Sequence, residues 1–120
     1  MDRKRLAREY KEARRPAGVF RVLNTINGKS LVGSSVDVPS RLNREKAQLT
    51  LNAHSNPALQ RDWLELGAGA FQFEVLDLLP PSDEPGYDPT ADLRVLEQLW
   101  LEKLAPFGER GYHASGPDEA

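Results

Sequence analysis

Cysteine is absent from this chain of 120 residues. That excludes a disulfide framework and every cysteine-ligated zinc or iron–sulfur site. Histidine is nearly absent: His54 and His113 are the two present, too few for a histidine-rich metal centre. No apolar run approaches the roughly 18 residues needed to cross a bilayer, so no membrane partner is expected. The N-terminus opens Met-Asp-Arg-Lys-Arg with no apolar h-region behind it, and a cytoplasmic location is the expectation. Internal repeats and low-complexity tracts are also lacking. What remains is 39% hydrophobic and 28% charged, the balance of one small folded domain rather than of a disordered chain.

The formal net charge of -2 hides an asymmetry. Lys and Arg outnumber Asp and Glu 13 to 7 over residues 1–66, and are outnumbered 3 to 11 over residues 67–120. A basic front half can supply a phosphate-facing surface even in an acidic chain. An ordinary solvated basic helix would give the same count.

Periodicity gives the order of elements. Residues 3–15 read as a basic helix behind an Asp2 cap, closed by Pro16-Ala17-Gly18. Val19 to Leu23 and Lys29 to Ser34 flank Asn27-Gly28, a hairpin signal. Asp37 to Pro39 starts a helix carrying Leu42 and Leu49 on one face. Asn56-Pro57 caps the next, with Leu59, Trp63 and Leu66 on its inner stripe and Gly67 as its stop. Residues 70–79 begin with the strand alternation Phe71, Phe73, Val75. The proline-rich segment 80–89 is a loop, and Asp88 or Thr90 caps a last helix running to about Leu104. Residues 105–120 show little pattern and read as a frayed tail. The sum is an α+β sandwich with a small, mostly antiparallel three-stranded sheet. Trp63 and Trp100 both fall at core spacing.

One residue conflicts with its surroundings. On a helical wheel begun at Leu93, Glu97 lies about 40° away, between Leu104 and Leu101 and inside the apolar stripe that also holds Leu96 and Trp100. A carboxylate on a core-facing stripe loses its hydration unless a cation, metal or hydrogen-bond donor replaces it. Glu97 is therefore either a paired structural acid or part of a site.

A run of short segments resembles the GIY-YIG nuclease family. Gly18-Val19-Phe20, Asn27-Gly28-Lys29 and Leu31-Val32-Gly33-Ser34-Ser35 look like its two motif strands. Arg41 falls where the family keeps an arginine in its first core helix, and His54 with Leu59-Gln60 resembles the segment before the next helix. Phe73-Glu74-Val75-Leu76 looks like the third strand. Glu97 falls at the metal-binding glutamate, and Gly111-Tyr112-His113 stands where the family ends in Gly-Tyr-Asn. The resemblance covers residues 18–113, leaving 1–17 as a basic helix and 114–120 as a tail. It implies a Mg²⁺- or Mn²⁺-dependent endonuclease hydrolysing DNA phosphodiester bonds. In such a site the arginine stabilises charge on phosphorus and the glutamate holds the metal. Arg44 and Lys46 would join Arg41 in facing the nucleic acid.

The motif tyrosines are replaced by Phe20 and Leu31, and the terminal asparagine by His113. Neither Phe nor Leu can move a proton. His54 is the best substitute base, since an imidazole titrates near pH ~6.5 and a phenol near ~10. His113 and Tyr112 are weaker ones. The alternative is an inactive fold that binds nucleic acid or another partner, with Glu97 paired to Arg41.

Overall fold

The structure is a computed structural model that describes residues 16–82 and 84–114. The basic helix expected before Pro16, and all of the tail beyond Ala114, lie outside the described residues. Strands β1 (Gly18–Asn24) and β2 (Ser30–Ser35) form the expected antiparallel hairpin. Its turn closes on Asn24, which is fully buried. Asn24 accepts backbone N–H groups of Ile26 and Asn27 on its side-chain oxygen and that of Gly28 on its carbonyl.

Helix α1 spans Val38–Thr50 and helix α2 spans Pro57–Leu66. Each begins as the residue types dictate. The Asp37 carboxylate accepts from Ser40 N at 3.3 Å, the Asn56 amide oxygen accepts from Leu59 N at 3.0 Å, and a proline occupies the first turn of both. Gly67, at a φ of +85°, ends α2. Strand β3 (Phe71–Leu78) then pairs antiparallel with the free side of β1, giving the order β2-β1-β3. Helix α3 (Thr90–Leu104) packs across β1 and β2. Asp88 holds both the N–H and the hydroxyl of Thr90 at its entry. The fold is α+β around a three-stranded, wholly antiparallel sheet.

Val22 of the sheet, Leu49 of α1, and Leu59 and Trp63 of α2 form the main core with Phe71 and Tyr112. The Trp63 ring lies 5.3 Å from Phe71 and 6.1 Å edge-on from Phe73. Burying each such side chain contributes about 1.5–3 kcal/mol. Val19 and Val32, on the opposite face, are also buried, so both faces of the sheet are covered.

Three expectations change. Leu66 is exposed at the end of α2 rather than in the core. Trp100 is half-buried, because its indole N–H reaches the Asp77 carboxylate at 3.2 Å and Lys103 lies over its ring. Residues 105–113 are not a tail. They pass through a short 3-10 turn (Gly108–Arg110), bridge Phe107 to His113, and deliver Tyr112 into the core. Their cohesion comes from contacts distant in sequence, which periodicity does not display.

Candidate active site

Helix α1 brings Arg41 and Glu45 onto one face, four residues apart. Arg41 Nε donates to Glu45 Oε1 at 2.8 Å. The other oxygen of Glu45 meets Nε2 of His54. The remaining ring nitrogen of His54, Nδ1, accepts from Asn56 N at 3.0 Å. Nδ1 is therefore the unprotonated nitrogen, and Nε2 carries the proton that points at Glu45. Gln60 braces the pair: its Oε1 accepts from His54 N, and its Nε2 donates to the Leu49 carbonyl, each at 3.0 Å. The side chains of His54 and Glu45 are 3% and 4% exposed. Burial pushes the Glu45 carboxyl up. The hydrogen bonds from Arg41 and His54, with their charges, outweigh that and hold it below the ordinary carboxylate value.

Phe20 lies beneath this network. The Arg41 guanidinium carbon is 5.4 Å from the centre of its ring, within cation–π range. In register, Phe20 opposes Gly33. A Cβ at Gly33 would sit 2.7 Å from the tip of the Phe20 ring, so glycine there lets the ring lie across β2. Leu31 opposes Val22 and packs against the main core. The two positions that carry tyrosine in the resemblance are thus occupied by packed apolar groups.

Glu97 and His113 form a second cluster. Glu97 is half-buried in the middle of α3, and its side chain makes no hydrogen bond or ion pair among the described residues. His113 reaches the outer edge of β2, where Nε2 accepts from Val32 N at 3.0 Å, while Tyr112 N donates to the Ser30 carbonyl at 3.0 Å. Gly111 makes this approach possible. A Cβ there would fall 2.1 Å from the Pro106 carbonyl oxygen. Burial lowers the His113 pKa, and the nearby Glu97 charge offsets part of that shift. The Tyr112 phenol is pushed up to about 12 by burial and by Asp62, against the opposing effect of Asn24. It donates to Asp62 at 2.8 Å and stays protonated at neutral pH.

Arg41, His54 and Phe20 are therefore brought together, but through Glu45, a residue the sequence reading passed over. Its place four residues after Arg41 was the available signal, masked by the charged run Arg44-Glu45-Lys46 around it. The expected Arg41–Glu97 pair is not formed among the described residues. Arg41 spends its bond on Glu45, and Glu97 instead neighbours His113. Arg44 and Lys46 are exposed on α1. No group of three or more His, Asp or Glu that could hold a metal occurs among the described residues. Glu97 alone still fits a hard divalent cation, which binds through one or two carboxylates and keeps water and phosphate for its other positions.

The fold matches that of a GIY-YIG catalytic domain. It is similar to the solved catalytic domain of intron endonuclease I-TevI in a glutamate-to-alanine mutant form. There the TM-score is 0.68 and the identity 25%, over 88% of this chain and 99% of that one. It is also similar to a structure of the catalytic domain of homing endonuclease I-TevI, with a TM-score of 0.65 and 26% identity over 82% and 98% of the two chains. No family model matches the chain, and no curated protein matches it by sequence.

Proposed function

We propose that this domain acts on DNA as a divalent-metal-dependent phosphodiester hydrolase with a divergent site. The observation that carries the reading is Glu97, a half-buried carboxylate on an apolar stripe with no hydrogen-bond or ion-pair partner among the described residues. Such a group is costly unless a cation neutralises it. Mg²⁺ or Mn²⁺ held there would supply positive charge to the phosphate oxygens.

Arg41 is the phosphate-facing cation. Glu45 fixes its Nε, so the planar fork is aimed before substrate arrives, and a third of the side chain is exposed. His54 holds Glu45 in turn. It becomes a general base only by releasing Asn56 N–H, since Nδ1 is the ring nitrogen without a proton and Nε2, facing Glu45, already carries one. While those contacts hold, it is a positioning residue. Arg44 and Lys46 add sequence-independent attraction for the backbone.

A second reading has its own observation: both motif phenols are missing and both imidazoles accept a backbone N–H. That favours a domain that grips nucleic acid without cutting. The test is incubation of pure protein with branched, nicked and linear DNA in Mg²⁺, with Glu97→Ala as the contamination control. Cleavage abolished in that variant supports the hydrolase. Binding without cleavage supports the second reading, and neither binding nor cleavage overturns both.

A further inference from the structure

His113 faces two neighbours. One is Glu97. The other is an open cleft of about 490 Å³, walled by Lys29 of the β1–β2 turn, Arg61 of α2, and the segment that carries Gly111 and His113. We propose that this cleft is a phosphate-binding subsite that holds the backbone of the nucleic-acid strand beyond the candidate active site. The inference rests on the nucleic-acid reading above and adds to it the path of the strand.

Charge is the first argument. Among the described residues, no Asp or Glu lines the cleft, although the chain has 18 of them. Lys29 and Arg61 have no side-chain hydrogen bond or ion pair among the described residues. The polar groups beside them are already committed. The Asn56 amide donates to the Tyr112 carbonyl at 2.9 Å, and the Tyr112 hydroxyl donates to Asp62. Among the described residues the two cations are thus left to bind a ligand, and an anion is what they bind.

Shape is the second argument. Ala58, Gly108, Gly111 and Ala114 give the walls small side chains, so a bulky sugar–phosphate can approach the backbone. The volume falls in the range of pockets that hold small ligands, roughly 300–1,000 Å³. Continuity is the third. His113 belongs both to the cleft and to the surroundings of Glu97, so one strand can occupy both places.

The test is binding of a labelled oligonucleotide by fluorescence anisotropy over a series of salt concentrations. The variant is Lys29→Gln/Arg61→Gln, and the control is Arg94→Gln/Lys103→Gln, which removes the same charge from α3. Thermal melts verify that both fold. The cleft variant is expected to lose about tenfold or more in affinity, with the salt slope reduced by about 1–2; the control is expected to lose little. Equal losses in the two would reduce the effect to net charge and overturn the subsite. Unchanged binding by the cleft variant overturns it too, and leaves the proposed function standing. If the wild type binds no nucleic acid, the proposed function fails and the subsite with it. Inorganic phosphate provides the last arm. If it shifts the Ala58 and Gly111 amide resonances in the wild type only, while oligonucleotide affinity is the same in both, the cleft is a small-anion site and the strand path is wrong.

Discussion

The two halves of the candidate site differ in how completely they are satisfied. Around Glu45, a buried carboxylate is matched on both oxygens and a buried imidazole on both nitrogens. Around Glu97, a half-buried carboxylate has, among the described residues, only the electrostatic company of a histidine whose Nε2 is committed to β2. A closed polar network stabilises and orients, while an open one awaits a ligand. On the proposed reading, the charged residues around the site divide into a frame and a receptor, and Arg41 belongs to both.

The largest expected effect breaks the receptor side. Glu97→Gln should reduce any Mg²⁺-dependent cleavage by on the order of a hundredfold or more, the scale on which single electrostatic groups act on a transition state. It should also remove the Mg²⁺-induced rise in melting temperature, because a ligand stabilises only the state that binds it. An undiminished thermal shift would place the metal elsewhere.

Breaking the frame should act on stability instead. Glu45→Gln leaves Arg41 and His54 without their carboxylate and should cost about 1–3 kcal/mol in urea unfolding. Because Arg41 loses its aim, turnover should fall more than DNA affinity does. A variant as stable as the wild type would show that the network is dispensable.

Proton linkage separates the halves further. The folded pKa of His113 lies below its unfolded value, so the unfolded chain binds more protons, and stability should fall as pH drops through about 6.5. Glu45 is also depressed, and its contribution is lost at more acidic pH, as pH falls through its folded pKa. Tyr112 is raised to about 12, so its contribution is lost on the alkaline side. Urea unfolding of His113→Gln between about pH 5 and 7 should show a flatter slope than the wild type; an identical slope would assign the acid loss to another group.

The smallest expected effect comes from restoring the phenols. Phe20→Tyr/Leu31→Tyr should raise cleavage if the missing hydroxyls limit it. Each hydroxyl enters a packed setting, and overpacking costs about 1–3 kcal/mol, so activity should be compared below the melting transition. A folded double variant that still binds DNA and does not cut would favour the non-cleaving reading.

Much of the scaffold was legible because its signals are local. Asn27-Gly28 marked the hairpin, Asp37 and Asn56 marked two helix starts, and Gly67 marked a stop, each through a backbone need that only a few residue types meet. Glu97 was legible by the same logic, as a charge at an apolar phase of α3. Residues 105–113, Trp100 and Leu66 were not, because their burial or exposure depends on neighbours far away in the chain. Glu45 shows the limit most clearly. By itself the sequence determined that Arg41 and Glu45 share a helix face and that Phe20 and Leu31 alternate on their strands. Only the tertiary structure decided that His54 would close on Glu45, that Arg41 would be held there rather than against Glu97, and that Lys29 and Arg61 would share a cleft. Periodicity sets which way a side chain points, whereas the partner it meets is set by the packing of whole elements whose separation in sequence carries no trace of their proximity in space.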